Sequence, residues 1–339
     1  MKNKSESILF WEKAREFIDH YLSDIRKASP NTVSSYRTGL NQFIDYLEQQ
    51  KNKTRKGISF SDFTRANIKD YLDWLLNVKI LSPKTCNLRL TAIHSLMEYA
   101  SAEDDKIMPL YLNACSVKGL KTESNTIEYF EKMQMKALLA APKASKKTER
   151  RNQMILILMY DTGARVQEII DLKVDSLHLY SSIPYITIFG KGRKYRNIPL
   201  MEKTKTHLER YLRDFHPNSQ ADVPLFFAIT YGEKHRLSPD TLEQMVKRYS
   251  KACEKSGIEM PKNPHCHMIR KTRAMDLYQS GVPLTHIQQL LGHENISTTS
   301  GFYAFATLDT LANALKSTLD SPTDKKWNNQ EVLAQIYRL

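Results

Sequence analysis

The segment LLGHENISTTSGFYAF, residues 290–305, contains a histidine and a tyrosine whose spacing suggests chemistry. His293 and Tyr303 lie ten positions apart, with a threonine-rich helix start between them. A tyrosine in such a setting is a candidate nucleophile, because its oxygen can form a covalent bond to an electrophilic centre. The nearest other tyrosines, Tyr278 and Tyr337, precede His293 or lie in the tail, which favours Tyr303.

Three upstream segments add basic side chains that suit a phosphate substrate. They are TGARVQEIIDL (162–172), FGKGRKYRNIPL (189–200) and HMIRKT (267–272). Together, the four segments supply Arg165, Lys191, His267, Arg270, His293 and Tyr303. In kind, order and local spacing, this set resembles the catalytic residues of the tyrosine recombinases, also called the phage integrase family. Several loosely spaced motifs in one order are far more specific than any one of them.

The two arginines suit phosphoryl transfer, in which negative charge builds up on the non-bridging phosphate oxygens. A guanidinium group stays charged and offers a planar fork of donors that can grip a phosphate at two points. Arg165 and Arg270 are therefore predicted to form a phosphate clamp. Glu168, one helical turn after Arg165, is predicted to orient a member of the set.

The other members of the set deal with protons. A tyrosine, with a reference pKa of about 10, needs a base or strong charge stabilisation to act at neutral pH. The resemblance implies that His267 is this base and that His293 donates a hydrogen bond to the phosphate. Lys191, on a hairpin between two predicted strands, is predicted to protonate the departing 5′ oxygen of DNA.

Each of these residues also has an ordinary interpretation, and the sequence departs from the family in two places. Alone, an arginine before a glutamate is usually a surface ion pair, and GKGRK is usually a solvated turn. The His293 to Tyr303 spacing is one residue longer than in many relatives. In PHCHMIR, His265 follows the proline, but His267 has the H-x-x-R spacing that puts it one helical turn before Arg270. The role of His265 stays open.

No metal and no cofactor are expected. His265, Cys266 and His267 are adjacent and point in alternating directions, and no C-x-x-C pair accompanies them, so a zinc site is the weaker interpretation. The sequence also lacks a G-x-x-x-x-G-K-[ST] loop for ATP and an H-E-x-x-H motif.

The charge balance indicates a polyanionic partner. The 339 residues include 50 Lys plus Arg against 37 Asp plus Glu, a formal charge of +13. Two basic runs, 143–151 and 190–196, and the residue after Arg270 supply candidate contacts to the DNA backbone, although a charge run is more often a solvated face. These candidates are Lys143, Lys146, Lys147, Arg150, Arg151, Arg193, Lys194, Arg196 and Lys271.

The pattern of apolar residues divides the chain into four parts. Residues 8–115 repeat apolar positions as helices do, with Ser29, Thr64 and Ser82 as predicted caps, and 116–126 is a polar linker. Residues 127–320 combine helices with strands around the GKGRK turn, and 321–339 is an amphipathic tail helix. The fold class is thus mainly α with a small β-sheet. The resemblance implies a helical, SAM-like core-binding domain at 8–115 and a tyrosine-recombinase catalytic domain.

The resemblance implies an enzyme that cleaves and rejoins double-stranded DNA through Tyr303, with a 3′-phosphotyrosine intermediate. A mobile-element integrase or transposase is the first interpretation, and a Xer-like dimer resolvase is the alternative. A type IB topoisomerase and a catalytically idle DNA-binding regulator are alternatives from other classes. The expected partners are a second copy in dimers and a tetramer on DNA, and accessory DNA-bending or directionality factors. The tail would dock on a neighbouring protomer or on its own domain.

The sequence also predicts a location in the cell. It has no apolar run long enough to span a bilayer, no secretory signal and only four scattered cysteines, which favours a reducing cytoplasm and no membrane contact.

Overall fold

The computed structural model describes residues 6–122, 128–143, 145–190, 194–218 and 221–292. The chain divides into two compact units between residues 125 and 126, and each has a hydrophobic core of its own. Helices dominate both units, and the small sheets that the structure describes lie in the second, which confirms the predicted fold class. No helix in the described ranges is long and apolar enough to cross a membrane.

The first unit is a helical bundle. Its elements are α1 (Glu6–Arg15), which continues as a π-helix (Glu16–Ile25), α2 (Pro30–Lys51), α3 (Arg65–Asn77), α4 (Pro83–Glu103) and α5 (Met108–Cys115). The helices predicted for residues 8–115 from apolar periodicity are confirmed. Apolar side chains on their inner faces, such as Phe43, Leu47 and Tyr71, are fully buried and form the core.

The two long helices α2 and α4 begin in the same way. Ser29 and Ser82 each precede a proline and accept a hydrogen bond from the backbone N–H three residues later, at 3.2 and 3.3 Å. The serine satisfies a donor that the first helical turn leaves free, and proline loses nothing there because its position needs no donor. Thr64 caps α3 similarly, so the three predicted caps are confirmed.

The turns that lead into α2 and α4 also repeat each other. Lys27 and Ile80 both have a left-handed backbone, with φ of 51° and 53°. The next residue, Ala28 or Leu81, donates its N–H to the carbonyl six residues earlier, at 2.9 Å in both turns, which closes the preceding helix. The counterparts lie 53 positions apart along the chain. The first unit therefore contains two helical hairpins with the same turn and cap.

The two hairpins meet where α2 crosses α4, at Gly39 and Ala92. These residues are also 53 positions apart, so they occupy equivalent places in the two hairpins. A Cβ on Gly39 would lie 2.9 Å from the Cβ of Ala92, closer than side chains pack. The missing side chain of Gly39 thus sets how closely the two helices approach.

The predicted linker is partly a piece of the helical unit. Val117 is buried, and the Asn87 side chain bonds both sides of the Leu120 backbone, accepting its N–H at 2.7 Å and donating to its carbonyl at 2.9 Å. The polar composition of 116–126 does not indicate these contacts, because they depend on a single buried valine and on an asparagine outside the segment. Residues 123–127 lie outside the described residues.

The second unit combines helices with two small antiparallel sheets. Its helices are α6 (Lys132–Ala140), α7 (Lys147–Thr162), α8 (Val166–Ile170), α9 (Glu202–Phe215), α10 (Pro239–Lys255), α11 (Cys266–Gln279) and α12 (Leu284–Leu291). Strands β1 (Leu177–His178), β2 (Tyr185–Phe189) and β3 (Tyr195–Pro199) form one antiparallel sheet, and β4 (Phe227–Thr230) pairs with β5 (Glu233–Arg236). The two strands predicted around the GKGRK turn are confirmed.

Two glycines bring the ends of α7 and α12 together. Gly163 and Gly292 follow these helices in the left-handed conformation, with φ of 58° and 65°, which a side chain would strain. A Cβ on Gly163 would lie 2.7 Å from Cδ2 of Leu291, so the last turn of α12 lies directly against the end of α7. The candidate active site lies where these two helix ends meet.

The close crossing of α2 and α4 predicts that Gly39→Val lowers the free energy of unfolding by about 1–3 kcal/mol, the usual effect of overpacking. The double variant Gly39→Ala, Ala92→Gly should lose much less of this free energy, because it keeps one methyl group at the crossing. Urea titrations read by Trp11 and Trp74, with Trp327→Phe in the background, measure both. Thr38→Val, on the exposed side of α2, is the matched control. A Gly39→Val variant as stable as the control would contradict the account.

Candidate active site

Arg165 begins the short helix α8 and is fixed there by Glu168. The Glu168 carboxylate accepts the backbone N–H of Arg165 at 2.7 Å, and Nη1 of Arg165 donates to the same carboxylate at 2.9 Å. Glu168 is buried, whereas the Arg165 side chain keeps 31% of its surface exposed. The pair therefore holds one guanidinium group at the edge of solvent, where a ligand can reach it.

A second guanidinium group binds the same carboxylate from strand β3. Arg196 donates from Nη1 and Nη2 to the two oxygens of Glu168, at 2.9 and 2.6 Å. Its Nε donates to the carbonyl of Leu290 in α12, at 3.1 Å. Sequence reasoning treated Arg196 only as part of a basic run. The residue lies 28 positions from Glu168, so no local spacing reveals this pair.

Arg270 supplies a third guanidinium group from inside the unit. It lies on α11, is only 3% exposed, and donates to the carbonyls of Gly163 and Leu291, both at 2.7 Å. Arg165 donates to the next carbonyl, that of Gly292, at 3.1 Å. Arg165, Arg196 and Arg270 thus converge on the last turn of α12, immediately before His293 in the chain.

The electrostatics of this cluster favour an anion. Three guanidinium groups face one carboxylate, so the cluster carries an excess of positive charge. Burial, and then the charge of Arg165, lower the pKa of Arg270 to about 9. Burial alone would raise the pKa of Glu168, but hydrogen bonds and charge from Arg196 and then Arg165 bring it below its ordinary 4.5. A phosphate would relieve the mutual repulsion of the cations.

His267 lies one helical turn before Arg270 on α11 and is open to solvent. Partial desolvation, and then the charges of Arg270 and Lys271, lower the pKa of His267 to about 4. The ring is therefore neutral at pH 7. His265 directly precedes α11, and its Nδ1 donates to the carbonyl of Asn263 at 2.8 Å. That bond occupies one ring nitrogen of His265 in the turn.

Several predicted site residues lie outside the described residues. They are Lys191, Arg193, His293 and Tyr303, together with the predicted tail helix at 321–339. The described residues on either side of 191–193 do pair, because Gly190 donates its N–H to the carbonyl of Lys194 at 2.9 Å. On the other side of the site, the described chain reaches Gly292, next to His293.

Comparisons with known proteins agree with this geometry. Residues 128–307 match the profile of the Phage integrase family, and residues 16–104 match that of the Phage integrase, N-terminal SAM-like domain. An integrase/recombinase of Sinorhizobium fredii, y4rC, is 32% identical over 294 residues, which cover 86% of each chain. The chain belongs to the phage integrase family. Members of this family, the tyrosine recombinases, are site-specific recombinases that cleave and rejoin DNA, as the sequence predicted.

Other similar proteins include Xer recombinases and, by fold, a transposon integrase. Tyrosine recombinase XerC of Staphylococcus epidermidis is 28% identical over 293 residues, 86% of this chain and 92% of that protein. The structure of XerH bound to palindromic difH substrate matches with a TM-score of 0.68 at 20% identity, covering 92% of this chain and 89% of that one. A Tn1549 transposon integrase in complex with a circular intermediate DNA gives 0.66 at 18%, with 89% and 98% covered. These structures share the fold of this tyrosine recombinase.

The predicted DNA contacts of this tyrosine recombinase fall into two groups. Lys143, Lys146, Lys147 and Lys194 are exposed, and Arg150 and Lys271 are half-buried. Arg150 also pairs with Asp214, at 3.2 Å.

Arg151 and Arg196 form the second group: the guanidinium groups of both bind other parts of the fold, and their contact with DNA stays a prediction. Arg151 donates to the side chain of Asn152 and, at 2.8 Å, to the carbonyl of Phe227. Arg196 is held by Glu168 and Leu290. A basic run in a sequence does not reveal which of its members turn inward.

The described residues contain no group of three His, Cys, Asp or Glu side chains that could hold a metal ion. Cys266, the middle residue of the alternative zinc triplet, is buried in the apolar core of the second unit, and burial raises the pKa of its thiol. Its backbone N–H donates to Glu243 at 3.0 Å. The triplet is therefore split, with Cys266 facing the core.

The shared carboxylate predicts a pH-dependent contribution to stability. Glu168→Gln should lower the free energy of unfolding by about 3 kcal/mol or more at pH 7, as when a buried ion pair loses one charge. Because the folded pKa of Glu168 lies below 4.5, the difference from wild type should be full above pH 4.5 and shrink as pH falls through the folded pKa. Urea titrations between pH 3 and pH 8 measure it.

Asp222→Asn is the matched control for this test. It removes the acidic partner of Lys173 in an exposed ion pair, and such pairs contribute little to stability. Equal losses in the two variants, or a Glu168→Gln loss that does not change with pH, would contradict the role given to the buried carboxylate.

Proposed function

We propose that this tyrosine recombinase is a mobile-element integrase or transposase that acts on double-stranded DNA through a 3′-phosphotyrosine intermediate. The proposal is supported by Arg165, Arg196 and Arg270, which all donate hydrogen bonds to the carbonyls of the three residues before His293. An excess of fixed positive charge is what a phosphoryl transfer centre requires. The formal charge of +13 suits binding to the polyanion.

In the proposed cleavage step, the Tyr303 oxygen forms a bond to phosphorus while the bond from phosphorus to the 5′ oxygen breaks. The tyrosine proton moves to His267. This ring is neutral at pH 7, and the phosphate charge that DNA brings beside it offsets the neighbouring cations and raises its pKa. Lys191 gives a proton to the departing oxygen. Rejoining runs the same steps backwards, so the energy of the broken bond is kept in the phosphotyrosine.

The arginines act on the charge of the transition state. Arg165 and Arg270 would bind the non-bridging oxygens, and His293 would donate a further hydrogen bond. Arg270 is held by two backbone carbonyls before any substrate arrives, so it needs little rearrangement. Donors that are fixed in advance stabilise developing charge more than mobile ones do.

A Xer-like dimer resolvase is the second candidate, because XerC of Staphylococcus epidermidis matches over 92% of its length. The similar solved structures include recombinases bound to DNA, one of them a lambda integrase dimer on a core site, which supports double-stranded DNA as the partner and assembly of dimers on it. Sequencing the genomic fragments that stay attached to the denatured protein would separate the candidates. Ends of a mobile element support the integrase, and a chromosomal or plasmid dimer-resolution site supports the resolvase.

Tyr303→Phe should abolish covalent attachment to DNA and leave site binding nearly unchanged, because only the nucleophilic oxygen is removed. Gels run under denaturing conditions reveal the adduct, and gel shifts measure binding to the mapped site. Tyr278→Phe is the matched control and should form the adduct at the wild-type rate. An adduct formed by Tyr303→Phe would disprove the assignment of the nucleophile.

Arg165→Ala and Arg270→Ala should each slow adduct formation by about a hundredfold to a thousandfold, the usual effect of losing a donor to a developing oxyanion. Binding should fall much less, because the duplex keeps many other contacts. Arg213→Ala, an exposed arginine of α9, is the control. Melting curves check folding, since Arg270→Ala leaves two buried carbonyls without a donor. Equal losses of binding and cleavage would make these arginines ordinary backbone contacts.

A further inference from the structure

Arg196 links three parts of the candidate site. It lies on β3, five positions after Lys191 in the chain, and its side chain is only 13% exposed. It donates two hydrogen bonds to Glu168, at 2.9 and 2.6 Å, and one to the carbonyl of Leu290, at 3.1 Å. The same side chain therefore ties the sheet to α8 and to the end of α12.

The surroundings of Arg196 fit a guanidinium group closely. A Cβ on Gly292 would lie 3.1 to 3.3 Å from Nη1, Cδ and Cζ of Arg196, and a Cβ on Gly190 would lie 2.8 Å from Nη1. Two glycines thus leave the room in which the planar group lies. A lysine has no such planar fork and cannot make two parallel bonds to Glu168 while also reaching Leu290.

The charges explain why a second arginine on Glu168 matters. If Glu168 had Arg165 as its one partner, the carboxylate would be free to bind that guanidinium group at two points and cancel its charge. With Arg196 in place, both oxygens of Glu168 accept hydrogen bonds from Arg196. Arg165 donates only one side-chain and one backbone hydrogen bond to the same carboxylate. Arg165 is then oriented but keeps donors and charge for a phosphate.

We propose that Arg196 is a positioning residue for phosphoryl transfer, which holds Glu168 so that this carboxylate orients Arg165 without neutralising it. The inference rests on the proposed function of Arg165 as part of the phosphate clamp. It gives Arg196 a different role from the predicted contact with the DNA backbone, because its Nε, Nη1 and Nη2 already donate to Leu290 and Glu168.

The test measures single-turnover adduct formation by Arg196→Lys and Arg196→Ala on a duplex that carries the mapped site. Both variants should be slower than wild type, on the order of tenfold to a hundredfold, as for other residues that orient a ligand-binding group. DNA affinity should not change. Asn197→Ala, an exposed neighbour on the same strand, is the matched control and should match wild type in rate. If Arg196→Ala loses thermal stability, the test relies on Arg196→Lys, which keeps the positive charge in place.

A double-mutant cycle tests the route through Glu168. If Arg196 acts through that carboxylate, then Arg196→Lys combined with Glu168→Gln should be no slower than the slower single variant. If the double variant were slowed by the product of the two single effects on the rate, the two residues would act independently. That result would overturn the proposal.

A duplex with sulfur in place of the bridging 5′ oxygen tests the route through Lys191. Sulfur leaves as a thiolate and needs no proton, so this substrate bypasses the proton donor. The Arg196→Lys defect should persist on it, because the phosphate charge must still be stabilised. If the sulfur substrate restored the cleavage rate of Arg196→Lys, the proposal would be overturned. Arg196 would then support proton donation by Lys191.

The remaining outcomes separate this proposal from the proposed function. Wild-type rates for both Arg196 variants, or parallel losses of DNA affinity and cleavage, would overturn the positioning role alone. A wild-type chain that forms no adduct with either substrate would overturn the proposed function, and this inference with it.

Discussion

The buried carboxylate of Glu168 is the interaction on which the candidate site depends. Its burial costs hydration energy, and the surrounding cations have to offset that cost. Arg165 and Arg196 do so from different elements, at 2.6 to 2.9 Å. The carboxylate in turn allows two guanidinium groups to lie close together in the second unit. Without it, the charges of Arg165, Arg196 and Arg270 would repel one another inside a medium that screens them poorly.

Backbone geometry decides where this cluster points. The left-handed conformations of Gly163 and Gly292 end α7 and α12 at the same place, and carbonyls at these ends accept hydrogen bonds from the arginines. The last carbonyls of a helix lack partners within the helix, so they are natural acceptors for cations. The end of α12 thus orders the arginines, and the arginines hold the chain that enters the segment with His293 and Tyr303.

Features set by neighbouring residues could be predicted from the sequence, and features set by distant ones could not. The caps at Ser29 and Ser82, the strands around the GKGRK turn and the helix-ending glycines depend on residues a few positions apart. The pairing of Arg196 with Glu168, the inward turn of Arg151 and the hold of Asn87 on Leu120 join residues 28, 76 and 33 positions apart. Composition places such residues at the surface, and only the packed fold shows which of them are used inside.

The acceptors of the arginines determine how much charge is left for a substrate. Carboxylates on every guanidinium group would stabilise the fold further, but they would also neutralise the cluster. Here Arg270 is held by carbonyls, which are dipoles without net charge, and one carboxylate serves both Arg165 and Arg196. The excess positive charge attracts a phosphate, and it attracts the more negative transition state more strongly. That difference between the two states is what accelerates a reaction.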